Sequence, residues 1–372
     1  MLQLKDKKRA MSQKGEFKLK ILHTSDLHIG APLTSRLTPA KAQTRRRELL
    51  SVFDKLIDEA RRHKAKAVII AGDLFDDERV TESVKQRILD SAQRAADITF
   101  IYTPGNHEGD TLAGEALPHN FKLLSGEGWS YLRIEDVSFA ARRAVGTGMF
   151  DDLEAPKAEV CIAILHGELR NYARDAISPK EAAGHGIDYL ALGHYHKYSE
   201  TKIDEKTVAV YSGAPCGRGF DETGKLGYVI IDTDTKPISH SFLTLENRFI
   251  YEIEVGIRGA LRTIEIERLI SDACCDVRDC DILRVVLTGM RPIDFKPDIS
   301  SLFELFSKKF WHFEIKDETR AEIDVDKVKY DKTLKGEFIR LVLADESLAD
   351  TDKEGIIEFG IRALMGEIPD RD

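Results

Sequence analysis

From residue 18 onward, short apolar runs alternate with segments in which apolar residues recur every three or four positions. The runs cover residues 19–22, 67–71, 98–102, 161–165, 189–192 and 208–211. Short runs rich in β-branched residues predict buried strands, and the three- or four-residue spacing between them predicts amphipathic helices. This alternation predicts an α/β fold.

The first helical segment lies between the first two runs. Its apolar face consists of Leu49, Phe53, Leu56, Ile57 and Ala60. Its charged residues, which we expect to face solvent, are Arg45, Arg46, Asp54 and Glu59. A second amphipathic segment, with Ile88 and Leu89 on its apolar face, precedes the third run.

The chain of 372 residues is longer than a domain of about 150 residues, so we expect more than one domain. Residues 1–17 are polar and basic and predict a flexible leader. After residue 211 the helical patterns stop, and the strand patterns that follow predict the edge of a sheet. We therefore place the end of the first predicted domain near this edge, so that it covers residues 18–247. A small α+β domain is predicted for residues 248–330 and a helical segment for residues 331–372.

Composition excludes several classes of protein. Hydrophobic residues make up 42% and charged residues 32% of the chain, as in ordinary globular proteins. No apolar stretch approaches the roughly 18 residues that span a bilayer, so we expect a cytoplasmic protein without membrane contact. The five cysteines form no C-x-x-C pair and predict reduced thiols. A net charge of −9 argues against holding nucleic acid by bulk charge alone.

Five short motifs follow or end the predicted strands. They are Asp26-Leu27-His28, Gly72-Asp73, Gly105-Asn106-His107-Glu108, His166-Gly167 and Gly193-His194-Tyr195-His196. Loops at the carboxyl ends of strands in an open α/β sheet converge on one crevice, so we expect a single site. Carboxylate, amide and imidazole donors without thiolate suit manganese, iron or zinc better than calcium. Two cations about 3.5–4 Å apart can promote phosphodiester hydrolysis, and such donors can hold them. One carboxylate would then bridge the two cations.

Most histidines outside the motifs are expected to be ordinary core or surface residues. These are His63, His119, His185, His240 and His312. His23 precedes Asp26 by three residues, so we expect it to pack behind the site. Gly72 is expected to allow a sharp turn and a close backbone approach before Asp73.

The motifs together resemble those of the calcineurin-like metallophosphoesterases. The string His23-Thr24-Ser25-Asp26-Leu27-His28, with Gly72-Asp73-Leu74-Phe75 and the later motifs, is most similar to the SbcD and YhaO-type DNA repair exonucleases. The similarity includes Tyr211-Ser212-Gly213-Ala214-Pro215 and Phe220-Asp221-Glu222, and it covers residues 18–247. The resemblance implies a two-sheet sandwich flanked by helices, with residues 248–330 as a capping domain.

The resemblance also implies a role for each motif residue. One metal ion would be held by Asp26, His28, Asp73 and His196, and the other by Asp73, Asn106, His166 and His194. His107 would act as general acid or charge stabiliser for the leaving oxygen. The two divalent ions would most readily be Mn²⁺, with iron or zinc as alternatives.

The implied activity is that of a DNA repair nuclease or exonuclease working with an SMC-like ATPase of the SbcC or YhaN type. Residues 331–372 would dock on that ATPase. The alternatives are a phosphatase or phosphodiesterase acting on nucleotides or phosphoproteins, and a non-enzymatic scaffold of an ATPase complex. The oligomeric state stays open, with a homodimer among the alternatives.

One position departs from the nuclease pattern. These nucleases commonly carry a histidine after Gly-Asp-Leu-Phe, whereas Asp76 stands here. A carboxylate beside a phosphodiester repels it unless the carboxylate is paired. We therefore expect Asp76 to affect substrate binding, with a turn or a helix N-cap as its alternative role.

Overall fold

The computed structural model describes residues 19–33, 37–77, 79–154, 158–171, 176–235, 237–292, 295–322 and 324–366. The predicted leader and the last six residues of the predicted helical segment lie outside the described residues. The chain divides into two compact units, Met1–Ile250 and Tyr251–Asp372, here called unit 1 and unit 2.

Unit 1 contains two six-stranded sheets. The first has the order β12-β11-β1-β2-β3-β4. Its strands are β1 (Lys20–Thr24), β2 (Ala67–Ala71), β3 (Thr99–Thr103), β4 (Phe121–Leu123), β11 (Gly227–Asp232) and β12 (Ser239–Thr244). The second has the order β5-β6-β7-β8-β10-β9. Its strands are β5 (Ser130–Ile134), β6 (Val137–Ala141), β7 (Val160–His166), β8 (Tyr189–Gly193), β9 (Ser199–Lys202) and β10 (Val208–Tyr211).

The central strands of both sheets are parallel. Strands β1 to β4 pair in parallel, and β11 joins β1 antiparallel. Strands β6, β7, β8 and β10 also pair in parallel, between the antiparallel edge strands β5 and β9. The parallel strands of each sheet therefore send their carboxyl ends to a common edge.

The two sheets pack face to face. Ile21 and Ile69 of the first sheet share a buried cluster with Phe139 and Ile162 of the second. The alternate residues of β2 point the other way, where Val68 packs with helices α1 (Pro39–Arg62) and α2 (Glu82–Arg94). A strand covered on both faces needs apolar residues throughout, which explains the continuous run of β2. The predicted α/β class, with two sheets flanked by helices, is confirmed.

Arg45 of α1 corrects one expectation. It was predicted to face solvent, yet it is 1% exposed. Its Nη2 donates to the carbonyl of Gly217 at 2.6 Å, and its Nη1 bonds to Glu48. The chain near Cys216 and Gly217 covers this side of α1, and helical periodicity carries no information about such a distant segment.

Unit 2 is an α+β assembly with its own core. Its elements are β13 (Ile250–Gly256), α4 (Thr263–Ala273), β14 (Ile282–Thr288), β15 (Met290–Pro292), α5 (Ile299–Ser307), β16 (His312–Asp317), β17 (Arg320–Glu322), α6 (Val325–Val328), α7 (Leu334–Ala344) and α8 (Asp350–Leu364). Unit 1 also has the short helix α3 (Pro179–Ala182). Strands β13, β14 and β16 form a sheet whose core includes Leu283 and Phe306.

Helices α7 and α8 form a smaller cluster of their own, through Ile339, Val342, Ile357 and Ile361. Across the described residues, no helix combines the length and apolar character required to cross a membrane.

Candidate metal centre

The predicted site residues sit where five parallel strands end. The loops after β1 and β2 run side by side, because the backbone N–H of Asp26 donates to Gly72 at 3.0 Å and that of His28 donates to Asp73 at 2.9 Å. An isolated bridge between Ile29 and Phe75 continues this pairing. The first two motifs are therefore fixed to each other by backbone hydrogen bonds.

Four of the predicted metal ligands have left-handed backbone conformations. The φ angles are 54° for Asp26, 46° for His28, 50° for Asp73 and 111° for His194. Such conformations cost a non-glycine residue about 1–3 kcal/mol each and cluster at functional sites. The fold therefore holds these side chains in position against local backbone preference.

Two glycines allow the loops to come this close. Gly72 has a φ of 84°, and a Cβ there would lie 2.1 Å from Nδ1 of His166. A Cβ on Gly105 would lie 2.0 Å from Oδ1 of Asp73. The turn and close approach expected at Gly72 are present, and Gly105 has a similar role in the next loop.

Four buried residues form the floor of the site, Asp26, His28, Asp73 and His166. Oδ2 of Asp73 lies 3.6 Å from Nε2 of His28 and 3.4 Å from Nε2 of His166. Nε2 of the half-buried His196 lies 3.7 Å from Oδ1 of Asp26 and 3.3 Å from Nε2 of His28.

These donors make two groups suited to a metal ion. Asp26, His28 and His196 form one, and Asp26, Asp73 and His166 form the other, with donor atoms within 4.8 Å of one another in each group. Both groups contain Asp26, and their donors are the buried oxygens and imidazole nitrogens that first-row divalent metals prefer.

Three more predicted residues, Asn106, His107 and His194, form the exposed side of the site. Oδ1 of Asn106 lies 2.9 Å from Nε2 of His166, and Nε2 of His107 lies 4.0 Å from Oδ2 of Asp73. The backbone N–H of His194 donates to Asp26 at 3.0 Å, and its ring lies 5.6 Å from that of His166. All the predicted ligands and His107 thus lie around one crevice.

The electrostatics of the floor favour a bound cation. Burial would lower the pKa of His166, but the hydrogen bond and charge of Asp73 outweigh it and raise that pKa to about 9. Burial would raise the pKa of Asp73, but His166 and His28 hold it at about 2. The low pKa of Asp73 and the raised pKa of His166 show that positive charge is favoured beside the Asp73 carboxylate. The donor set fits divalent metal ions, which would supply that charge.

Sequence reasoning gave no role to Glu108, which the structure places beneath the site. Its fully buried carboxylate accepts from the backbone N–H of Phe75 at 2.6 Å and from that of Gly105 at 2.9 Å. Burial raises its pKa to about 7. Glu108 thereby ties the loop after β2 to the loop after β3, and its place beside His107 in the third motif was the available signal.

Arg218 and Glu222 were also missed as site residues. Glu222 Oε1 lies 2.7 Å from Nδ1 of His196, and Arg218 donates to both Glu222 and Asp76. Asp76, predicted to affect substrate binding, is thus a paired carboxylate, and its effect on substrate stays a prediction. The only signal for Glu222 was its place in the Phe220-Asp221-Glu222 stretch of the resemblance.

Three histidines outside the motifs, His23, His240 and His312, make contacts away from these groups. Nδ1 of the buried His23 lies 3.0 Å from the hydroxyl of Tyr189, in agreement with a packing role. His240 pairs with Glu200, and His312 with Glu314.

Comparison with known proteins identifies the domain that carries the site. Residues 19–198 match the family model described as Calcineurin-like phosphoesterase. YhaO of Bacillus subtilis, named an uncharacterized metallophosphoesterase, is 26% identical over 302 residues, which cover 74% of this chain and 72% of that protein.

Two archaeal relatives are named DNA double-strand break repair protein Mre11. The protein of Methanosarcina acetivorans is 25% identical over 268 residues, 66% of this chain and 42% of that protein. The protein of Saccharolobus solfataricus is 25% identical over 244 residues, 59% of this chain and 62% of that protein. The chain thus spans less than two thirds of both Mre11 relatives. Residues 19–198 are a calcineurin-like phosphoesterase domain, and the chain is a metal-dependent phosphoesterase homologous to YhaO and to the Mre11 proteins.

Proposed function

We propose that this protein is a two-metal phosphodiester hydrolase that cleaves DNA, as a repair nuclease or exonuclease. The observation that carries the proposal is the buried floor of carboxylates and imidazoles with the exposed His107 beside it. Nε2 of His107 lies 4.0 Å from Oδ2 of Asp73, and its side chain is 53% exposed. A proton donor that lies at the edge of a metal centre and is open to solvent can reach the leaving oxygen of a bulky phosphodiester.

We propose the ligand sets that the resemblance implies, and the contacts of Asp73 support them. Asp26, His28, Asp73 and His196 would hold one ion, and Asp73, Asn106, His166 and His194 the other. Asp26 is common to the two donor groups described above, and a shared role for Asp73 is supported by its Oδ2, which lies 3.6 Å from Nε2 of His28 and 3.4 Å from Nε2 of His166. When bound, two divalent ions, proposed as Mn²⁺, would activate water and neutralise charge on the phosphoryl oxygens.

The protein's own contribution is to position these donors and to move one proton. The backbone N–H of His107 donates to Oδ1 of Asp73 at 3.3 Å, which fixes the loop that carries the imidazole. The ring of His107 lies 5.2 Å from that of His28. From this place Nε2 of His107 can give a proton to the leaving oxygen, a transfer worth about 10²–10⁴ in rate.

DNA is proposed as substrate because the Mre11 relatives are named for double-strand break repair. The net charge of −9 means that the metal ions, unit 2 or a partner must help to hold the phosphate backbone. The competing activity is hydrolysis of phosphomonoesters or nucleotides at the same centre. A non-enzymatic scaffold would need no proton donor at His107.

One experiment separates these activities. Purified protein with Mn²⁺ is given single-stranded DNA, double-stranded DNA, a chromogenic phosphodiester and a chromogenic phosphomonoester. We expect cleavage of DNA and of the diester, and loss of both on chelation. Cleavage of the monoester alone would support a phosphatase, and no turnover with two bound ions would support a scaffold.

We further propose that residues 248–330 cap the nuclease domain and that the helices of residues 331–372 dock on an SMC-like ATPase. Support comes from apolar side chains that unit 2 leaves exposed, including Leu334 at 70%, Leu341 at 64% and Phe359 at 58%. Replacing Leu334 and Leu341 by Arg should remove co-purification with such an ATPase and leave diester hydrolysis unchanged. Retained co-purification by the folded variant would contradict the docking proposal.

A further inference from the structure

Arg218 lies behind two of the proposed metal ligands and joins two carboxylates. Its Nη1 donates to Oδ1 of Asp76 at 3.0 Å, and its Nε and Nη2 donate to Oε1 of Glu222 at 2.9 and 2.7 Å. Its backbone N–H also donates to Oε2 of Glu222 at 2.7 Å. The Arg218 side chain is 22% exposed and that of Glu222 is 2% exposed.

Each of these carboxylates stands behind one histidine. The Nε2 atoms of His28 and His196 lie 3.3 Å apart and belong to the metal-binding group with Asp26. On the opposite edge of each ring, Nδ1 of His196 lies 2.7 Å from Glu222 and Nδ1 of His28 lies 3.3 Å from Asp76. Among the described residues, Nδ1 of His28 is a buried polar atom without a hydrogen bond.

The chemistry of a ligating imidazole explains this arrangement. A histidine that offers Nε2 to a cation carries its proton on Nδ1, and an acceptor on Nδ1 fixes both the tautomer and the ring orientation. Glu222 is the acceptor beside Nδ1 of His196. Asp76 lies where it can accept a hydrogen bond from Nδ1 of His28. Without Asp76, the proton on this buried nitrogen would have no acceptor.

We propose that Arg218 is a positioning residue that holds Asp76 and Glu222 behind His28 and His196, so that both imidazoles are fixed for a metal ion. A planar guanidinium can bond two carboxylates at once in a fixed geometry, which a lysine cannot reproduce. The inference rests on the proposed metal centre.

This proposal gives Asp76 a different role from the one expected from the sequence. A carboxylate that is bonded to Arg218 and faces His28 orients this metal-binding histidine and does not contact the substrate. Arg218 in turn is committed to two carboxylates, so its charge is not free to bind a phosphate. Asp76 occupies the sequence position at which the nucleases that this chain resembles commonly carry a histidine.

The test measures Mn²⁺ binding to the full chain by titration calorimetry, together with kcat and KM on a chromogenic phosphodiester. Arg218→Ala, Asp76→Ala and the double variant are compared with the wild type. Arg61→Ala is the matched control, because Arg61 makes an exposed pair with Asp97 at 3.0 Å on the surface of unit 1. Arg218→Lys serves as a milder variant if the alanine variant fails to fold.

We expect Arg218→Ala to weaken binding of one Mn²⁺ ion by about 10–100-fold, the usual effect of losing a group that orients a ligand. Arg218→Lys should give an intermediate loss, and Arg61→Ala none. Because Asp76 and Arg218 act together, the double variant should lose less than the product of the single losses.

Two results would overturn the proposal. If Arg218→Ala and Arg218→Lys raise KM while Mn²⁺ affinity stays at the wild-type value, Arg218 contacts substrate. If Asp76→Ala lowers KM and leaves Mn²⁺ affinity unchanged, Asp76 faces substrate. A wild type that binds no Mn²⁺ would remove the metal centre itself, whereas a wild type that binds Mn²⁺ but cleaves no DNA would refute only the proposed substrate.

Discussion

Units 1 and 2 differ in how they use unfavourable backbone conformations. In the described residues, every non-glycine residue with positive φ lies in unit 1, and four of them are Asp26, His28, Asp73 and His194. The positive φ angles described for unit 2 belong to glycines, such as Gly259 and Gly289, which adopt them without a steric penalty. Backbone strain is thus concentrated at the metal centre.

The difference in backbone strain indicates different roles for the two units. Strain persists only where the surrounding structure overdetermines it, and in unit 1 the surrounding loops hold charged side chains around one crevice. Unit 2 is relaxed and leaves apolar side chains such as Leu334 and Leu341 exposed. Substitutions at the strand ends of unit 1 should therefore change turnover, and substitutions in the helices of unit 2 should change stability.

The largest effect is expected for Asp73→Ala. Hydrolysis should fall to background and both metal ions should be lost, because Asp73 would be the shared ligand. Metal content by mass spectrometry and turnover of the diester provide the measurement. Asp54→Ala, which removes an exposed partner of Arg87, is the control and should keep both properties. Two ions retained by Asp73→Ala would refute the shared role.

His107→Ala should lower kcat by about 10²–10⁴, the usual contribution of a positioned proton donor, and keep both metal ions. Turnover of the diester and metal content are measured on the same preparation. His119→Ala, at an exposed position outside the motifs, should behave like the wild type. Wild-type kcat in the His107 variant would remove this residue from the mechanism.

Gly105→Ala tests whether close packing of the loops matters for turnover. The added Cβ would lie 2.0 Å from Oδ1 of Asp73, so the carboxylate must shift. A displacement of about 1 Å can cost about 10² in rate, and we expect a loss of that order in kcat. Gly128→Ala adds a methyl group where no atom lies within 4 Å and should have no effect. Equal kcat in the two variants would contradict the packing argument.

The smallest effect on turnover is expected in α8 of unit 2, where two glycines form a matched pair. Gly355→Ala meets no atom within 4 Å and should raise the free energy of unfolding by about 1 kcal/mol through helix propensity. In Gly360→Ala the methyl group would lie 2.2 Å from Cζ of Phe338, and overpacking should lower that free energy by about 1–3 kcal/mol. Urea unfolding followed by circular dichroism measures both. A change of kcat in either variant would contradict the expectation that substitutions in the helices of unit 2 affect stability and not turnover.

Much of the fold was predictable because its signals are local. The run of residues 67–71 corresponds to β2 residue for residue, and that of residues 208–211 to β10. Two of the strands that the sequence did not indicate, β5 (Ser130–Ile134) and β9 (Ser199–Lys202), lie at sheet edges, where one side of the strand has no partner and apolar residues are not required. The buried strand β6 (Val137–Ala141), which lies between β5 and β7, was also not indicated.

The sequence by itself determined which side chains follow the buried strands, and therefore which carboxylates and imidazoles meet at one edge of the parallel sheets. Only the tertiary structure decided what lies behind them. Arg218 reaches Asp76 across 142 positions of the chain, and Arg45 reaches Gly217 across 172. Periodicity reports which way a side chain points from its own helix or strand. The partner that it meets there depends on how distant segments pack, which local patterns do not encode.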